Sequence, residues 1–322
     1  MRLARLLRPL LLLVALAPLP AAAAGLAFVM NSGGASVSLV DMSTQTELRR
    51  IPALREPHHW ALAPDGTSLV VGDSAGNALL LLDPETGALQ RRVTVADPYQ
   101  LGFSPDGTML VVNGLGRNQI DVYQAGSYRL LKRFPIGSMP SHLAFSPDSG
   151  RVFVTLQGSN RLAAIDLKAM RVIWDKPVGN TPAGVLWYDG RLLVADMGTD
   201  KLADVDPADG RVLGHIHTGR GAHNLFLSPD GRVIWVNNRV AGTTEELDAR
   251  TLTPIKSFRI SGGPDDLAFA PDGRLWITRR FAETVAVLDP ATGEITTIEV
   301  GRSPHGIFLT PQAASPSKVA SR

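Results

Sequence analysis

Residues 264–301 read PDDLAFAPDGRLWITRRFAETVAVLDPATGEITTIEVG and form one copy of a unit that recurs along the chain. Short apolar runs in this unit alternate with turn signals such as Pro271-Asp272-Gly273 and the DPATG at 289–293. Proline presets the first corner of a tight turn and glycine accepts a positive φ, so each signal predicts a chain reversal. The unit therefore predicts four short strands, at residues 267–270, 274–278, 285–288 and 294–300.

The Pro-Asp-Gly signal returns at nearly constant spacing. Its first position is held by Pro64, Pro105, Pro147, Tyr188, Pro229, Pro271 and Pro311, in steps of 41, 42, 41, 41, 42 and 40 residues. A period of this size with four strands per unit is typical of a β-propeller, in which each unit forms one blade. Inner strands with consecutive apolar residues, as at 79–82, indicate burial on both faces between neighbouring blades.

The number of units predicts how the ring closes. Six complete units open near Pro57, Pro98, Pro140, Pro182, Gly221 and Pro264. A seventh is divided between the chain ends, with its first strand at 304–309 and the other three at 27–30, 36–40 and 47–51. Pairing the ends removes the open sheet edge. We predict an all-β fold, a seven-bladed β-propeller of four-stranded antiparallel blades, closed by a one-plus-three seam of the N- and C-termini.

Residues 1–24 have the pattern of a secretory signal peptide. Arg2, Arg5 and Arg8 precede an apolar run at 10–19, and four alanines at 21–24 supply small residues for cleavage. The run is short for a membrane span. We therefore expect export to the periplasm, or secretion, with no transmembrane segment after cleavage. The predicted domains are a signal peptide at 1–24, a propeller at 25–312 and a disordered tail at 313–322.

Composition excludes several classes of function. The chain has no cysteine, which excludes disulfides, thiolate metal sites and covalently attached c-type haem. Its net charge is only +2 with scattered basic residues, so no nucleic-acid partner is expected. Nucleophile-elbow, Walker, dinucleotide and His-Glu-x-x-His motifs are absent from the sequence. We expect a monomer whose partner is a periplasmic protein or a small ligand.

The repeat resembles the YVTN-type (YncE-like) β-propeller repeat family. The resemblance rests on LAFSPD at 143–148, LVVN at 110–113 and LDPATG at 288–293, and extends over about residues 26–312. It implies the propeller fold without selecting a function. Similar repeats occur in exported proteins of unknown role, surface-layer proteins, propellers of quinoprotein pathways and the haem d1-binding domain of nitrite reductase. Sugar-lactone hydrolases and a streptogramin lyase use related propellers.

Five of the seven histidines follow the opening proline, or its equivalent, by one or two residues. In a propeller these positions lie at one mouth of the central channel. The candidate ligand or metal residues there are His58, His59, Tyr99, His142, His223, Asp265, Asp266 and His305. Imidazole and carboxylate groups suit zinc, copper or iron, can act as general acid and base, or can hold a haem or quinone. The alternative is structural: repeat duplication multiplies a polar residue that caps a turn.

The loops between second and third strands add polar residues to the same face. The candidates for an anion-binding rim are Arg239, Arg280, Asn113 and Asn237. Arginine presents a planar fork that suits carboxylate or phosphate, and Trp235 and Trp276 precede the two arginines in their strands. An anionic, partly aromatic ligand fits this pattern. A solvated polar rim, with both tryptophans in the core between blades, is the alternative.

These features favour a binding protein over an enzyme. The leading hypothesis is a non-catalytic binding or scaffold protein that presents its channel mouth to a protein partner or small ligand, in a redox or cofactor pathway. One alternative is a carrier of metal, haem or quinone. The other is a lactonase- or lyase-type enzyme that uses the same mouth. The sequence assigns no catalytic residue and no single cofactor.

Overall fold

The structure is a computed structural model that describes residues 25–311. The predicted signal peptide at 1–24 and the predicted tail at 313–322 lie outside the described residues. Within the described range, helical geometry is confined to two short 3-10 segments, Ser32–Gly34 and Gln157–Ser159. No helix in that range has the length and apolar character needed to cross a membrane.

Twenty-eight strands are found between residues 25 and 311. The first fourteen are β1 Leu26–Asn31, β2 Ser36–Asp41, β3 Thr46–Pro52, β4 Pro57–Leu62, β5 Leu69–Asp73, β6 Ala78–Leu82, β7 Leu89–Thr94, β8 Gln100–Phe103, β9 Met109–Gly114, β10 Gln119–Gln124, β11 Arg129–Pro135, β12 Pro140–Phe145, β13 Arg151–Leu156 and β14 Arg161–Asp166. The others are β15 Arg171–Pro177, β16 Pro182–Tyr188, β17 Arg191–Asp196, β18 Lys201–Val205, β19 Val212–His217, β20 Ala222–Leu227, β21 Val233–Asn238, β22 Thr243–Asp248, β23 Pro254–Arg259, β24 Pro264–Phe269, β25 Leu275–Arg279, β26 Thr284–Leu288, β27 Ile295–Glu299 and β28 Pro304–Leu309.

The strands form seven antiparallel sheets of four, which confirms the predicted seven-bladed β-propeller. Blades 1 to 6 are β4–β7, β8–β11, β12–β15, β16–β19, β20–β23 and β24–β27. The seventh, the seam blade, has the order β28-β1-β2-β3, so the C-terminal strand pairs with the N-terminal one. The predicted one-plus-three seam is therefore confirmed, and no sheet edge is left open between the two ends.

The hydrophobic core consists of layers between adjacent blades. In β6, Leu80 and Leu82 pack toward the seam blade, whereas Leu79 and Leu81 pack toward blade 2. Side chains alternate between the faces of a strand, so a strand covered on both faces needs consecutive apolar residues. Trp235 and Trp276 also lie in such layers, with 4% and 0% of their surface exposed. The tryptophans therefore belong to the core and not to the channel mouth.

Candidate functional site

A repeated β-bulge positions the channel-facing side chains. In β24, Pro264 pairs with Arg279 and Leu267 pairs with Ile277, so three steps on one strand face two on the other. The same kind of register shift occurs in β4, β12, β16, β20 and β28. A bulge leaves a residue unpaired and changes the direction of its side chain. The bulged segments carry His58, His59, His142, His223, Asp265, Asp266 and His305.

These segments bring the five histidines together, although they come from four different blades. Ring centroids of His305 and His58 are 4.0 Å apart, and those of His305 and His59 are 4.5 Å apart. The ring centroid of His142 lies 5.1 Å from that of His59, and the half-buried Tyr99 packs against His58 with a centroid distance of 4.3 Å and an angle of 39° between the rings. All five imidazoles are between 1% and 5% exposed. We call this group the channel cluster: His58, His59, Tyr99, His142, His223, Asp265 and His305, with Arg239 and Arg280.

One side of the channel cluster is an ion-pair network around Asp265, whose carboxylate is fully buried. Arg239 Nη2 donates to Asp265 Oδ1 at 2.5 Å, and Arg280 Nη1 donates to Oδ2 at 3.3 Å. Arg239 Nη2 also donates to His223 Nε2 at 2.7 Å, which assigns the His223 proton to Nδ1, 2.8 Å from Asp265 Oδ1. Burial opposes ionisation, yet Arg239 holds the pKa of Asp265 well below its usual range. Both nitrogens of His223 are thus already bonded.

The other side of the channel cluster has unused nitrogen atoms. Among residues 25–311, the buried nitrogens without a hydrogen-bond partner include Nδ1 of His58, Nε2 of His59, Nε2 of His142 and Nδ1 of His305. Burial lowers the pKa of each of these imidazoles, so they are uncharged near neutral pH. A neutral imidazole offers one nitrogen lone pair to a metal ion. This side therefore has the donor chemistry of a metal site.

Two sets of donor atoms lie close enough to hold a single ion. In the set His58, His59 and His305, the donor atoms lie within 4.8 Å of one another. Zinc–imidazole bonds of about 2.0–2.1 Å would require the three nitrogens to converge further on a common centre. The second set, His223, Asp265 and His305, meets the same distance limit. It overlaps the ion-pair network, where Arg239 already neutralises the carboxylate, so the first set is the better metal site.

The remaining candidates from the sequence have structural contacts. Asn113 Nδ2 donates to the Ser141 carbonyl at 2.8 Å, and Asn237 Nδ2 donates to the Asp265 carbonyl at 3.2 Å. Both asparagines are 0% exposed, so they tie adjacent blades together and do not line an exposed rim. Asp266 accepts backbone N–H groups of residues 267 and 307, and burial raises its pKa to about 7.

Sequence reasoning missed two residues that contact the channel cluster. Glu56 Oε1 lies 3.6 Å from His58 Nε2, on the side of the ring opposite the free Nδ1. Ser141 Oγ hydrogen-bonds His142 Nδ1 at 2.9 Å, again leaving the other nitrogen free. A sequence signal existed for Glu56, because it directly precedes the opening proline of blade 1. Its loop is held by the buried Asp73, which accepts the backbone N–H groups of residues 54–56.

Comparison with solved structures finds many proteins with the same fold. A functionally unknown protein from Desulfotomaculum acetoxidans is 15% identical, with a TM-score of 0.75 over 88% of this chain and 98% of that one. The periplasmic gluconolactonase PpgL of Pseudomonas aeruginosa is 20% identical, with a TM-score of 0.72 over 89% and 99%. The dihydro-heme d1 dehydrogenase NirN, solved in complex with DHE, is 16% identical, with a TM-score of 0.67 over 92% and 77%. At these identities the likeness concerns the fold alone.

Family assignment rests on the sequence match. Among curated proteins, no significant match was found. The family model described as YNCE-like beta-propeller matches residues 7–315 of the 322. That match covers every blade, and it agrees with the repeat resemblance and the observed fold. The chain belongs to the YncE-like β-propeller family.

Proposed function

We propose that this propeller is a binding protein whose channel cluster holds one transition-metal ion, such as Zn²⁺ or Cu²⁺, through His58, His59 and His305. One observation carries the proposal. Among residues 25–311, each of these three imidazoles has a buried nitrogen that makes no hydrogen bond. A buried polar atom without a partner costs about 1–3 kcal/mol, and coordination to a shared ion would satisfy all three together.

The surroundings of the three imidazoles support this function. In two of them the nitrogen opposite the free one points toward a carboxylate: His58 Nε2 is 3.6 Å from Glu56, and His305 Nε2 is 3.8 Å from Asp265. Metal-binding histidines commonly direct their second nitrogen to a carboxylate, which orients the ring and strengthens the ligand. Neutral imidazoles favour Cu²⁺ and Zn²⁺ over the hard ions Mg²⁺ and Ca²⁺.

The competing functions place a larger molecule at the same mouth. A haem, a quinone or a sugar lactone needs room beside the imidazoles, and those rings are only 1–5% exposed and about 4–5 Å apart. This burial favours a single ion over a planar cofactor or a lactone substrate. Export to the periplasm, where such an ion would be bound, remains a prediction from residues 1–24.

Metal binding is tested by titrating the purified protein with Co²⁺ and with Zn²⁺. We expect one ion per chain, with visible Co²⁺ absorption typical of nitrogen ligands. The variant His59→Ala should weaken binding by about 100-fold or more, because one of three ligands is lost. His217→Ala, on the exposed outer strand β19, is the matched control and should bind normally. Failure of the wild type to bind either ion, or equal affinities of both variants, would contradict the proposal.

Glu56 is expected to position His58 without contacting the ion. Glu56→Gln removes the carboxylate charge beside His58 Nε2 but keeps the side-chain shape. Loss of such a partner weakens metal affinity by about tenfold. The comparison is Glu85→Gln, an exposed residue between β6 and β7. Zinc affinity measured by competition with a chelator should fall for Glu56→Gln alone. Unchanged affinity would exclude this role.

A further inference from the structure

We propose that the metal ion enters the channel cluster together with a small oxyanion, of the carboxylate class, which binds both the ion and the guanidinium of Arg280. This inference rests on the proposed metal-binding function and names the second component of the ligand. Three lines of observation support it: the charge of the buried site, the free donors of Arg280 and the number of imidazole ligands.

The buried site carries too much positive charge for a bare divalent ion. Arg239 and Arg280 share one carboxylate, Asp265, so this group already carries a net positive charge. Three neutral imidazoles add no negative charge to balance a divalent ion. Two further carboxyl groups lie nearby: Glu56, beside His58, has a side chain that is 41% exposed, and Asp266, next to Asp265, is buried with its pKa raised by burial to about 7. Even with Asp266 ionised, the two arginines and a divalent ion exceed the two buried carboxylates by two positive charges. Burying uncompensated charge is costly, so metal uptake should be coupled to uptake of an anion.

Arg280 has the hydrogen-bond donors that such an anion needs. Among residues 25–311, its guanidinium makes one side-chain hydrogen bond, to Asp265 Oδ2 at 3.3 Å, and its side chain is 22% exposed at the mouth. Arginine carries five N–H donors in a planar fork that matches a carboxylate. Arg280 also lies near a proposed ligand, since Arg280 Nη1 and His305 Nε2 are 3.3 Å and 3.8 Å from the same oxygen, Asp265 Oδ2. Arg239 is more fully engaged, because its Nη2 bonds Asp265 and His223 and its Nη1 lies 3.7 Å from Met197 Sδ, which leaves its buried Nε without a partner among the described residues.

The ligand count leaves a coordination position for the anion. Zinc in proteins is usually four-coordinate, and a site with three protein ligands keeps one position for an exogenous group. His142 Nε2 is the alternative fourth ligand within the fold, since it is buried and has no partner among the described residues, although it does not belong to the set of donors that lie within 4.8 Å of one another. The two alternatives predict different behaviour. With an anion as the fourth ligand, metal affinity depends on the added anion; with His142 as the fourth ligand, metal affinity is independent of it.

The test uses Co²⁺ perchlorate and the full-length purified protein in a buffer without coordinating anions, with acetate or inorganic phosphate added separately. We expect acetate to tighten Co²⁺ binding by about tenfold and to shift its visible absorption, because binding of the two components is reciprocally coupled. An effect of phosphate without an effect of acetate would contradict a carboxylate ligand. In Arg280→Gln the anion effect should disappear, while Co²⁺ alone should bind at least as tightly, since one positive charge is removed. The matched control is Arg279→Gln, whose guanidinium bonds Ser261 and Thr297 on the rim and should keep the anion effect.

The outcomes separate this inference from the function on which it rests. Co²⁺ binding with the same affinity and spectrum with and without anions overturns the inference and leaves the metal site standing. Retention of the anion effect in Arg280→Gln also overturns it. A spectrum that is indifferent to anions but changes in His142→Ala assigns the fourth position to that histidine instead. If Co²⁺ does not bind under any condition, the metal-binding proposal itself fails.

Discussion

Replacing Asp265 with alanine is expected to lower the free energy of unfolding by about 3–5 kcal/mol. The carboxylate is fully buried and is the shared partner of Arg239, His223 and Arg280. Its loss leaves the Arg239 guanidinium, only 16% exposed, without a counter-charge in the channel. Removing one partner of a buried ion pair is costly because the desolvated charge that remains is not compensated. Chemical denaturation followed by tryptophan fluorescence measures this change.

Two further variants make the Asp265 prediction specific. Glu299→Ala removes an exposed carboxylate on the outer strand β27, and it should leave the unfolding midpoint nearly unchanged. The double variant Asp265→Ala/Arg239→Met removes both charges and should recover part of the lost stability. Equal midpoints for Asp265→Ala and wild type would show that the network contributes little to folding.

Replacing Phe308 with alanine should destabilise the protein by about 3–5 kcal/mol, because it removes a buried ring at the seam. Phe308 is 5% exposed on β28, with its ring centroid 4.8 Å from Trp60 and 5.9 Å from Phe28. It therefore joins the C-terminal strand to both the N-terminal strand and blade 1. The matched control is Ile255→Ala on the outer strand β23, where the side chain is 55% exposed and little stability should be lost.

The seam variant has a second expected signature. Weakened packing of β28 favours its local separation from β1, which exposes a sheet edge. Amide hydrogen exchange in β1 and β28 should therefore accelerate more than in β12 or β16, the first strands of the two blades farthest from the seam around the ring. Uniform acceleration in all blades would indicate that the ring opens only by global unfolding and would contradict a locally weakened seam.

The fold was predictable because its determinants are local and repeated. A tight turn depends on a few adjacent residues such as Pro271-Asp272-Gly273, and its recurrence at a constant period counts the blades without any knowledge of contacts. The seam followed from the same count, since a first strand at 304–309 and three strands at 27–51 complete one unit. The phase of the repeat also placed five histidines at equivalent positions, and the structure finds all five in one cluster.

The division of the channel cluster was not predictable from that pattern. His142 and His223 occupy corresponding loops, yet one has a free nitrogen and the other has both nitrogens bonded. The difference arises from Arg239 and Asp265, which reach His223 from neighbouring positions around the channel. Likewise, the sequence pattern predicts Asn113 and Asn237 as rim residues, but their side-chain amides donate hydrogen bonds to backbone carbonyls of the next blade.

The sequence by itself determined the architecture: seven blades, the closing seam and the mouth that carries the histidines. These follow from turn chemistry and strand patterning, which act over a few residues at a time. Only the tertiary structure decided which imidazoles share a centre, since His58 and His305 meet at 4.0 Å only after the ring closes. It also decided which imidazole nitrogens stay free and which arginine keeps most of its donors unused, because hydrogen-bond partners of a buried group are set by the packing of different blades.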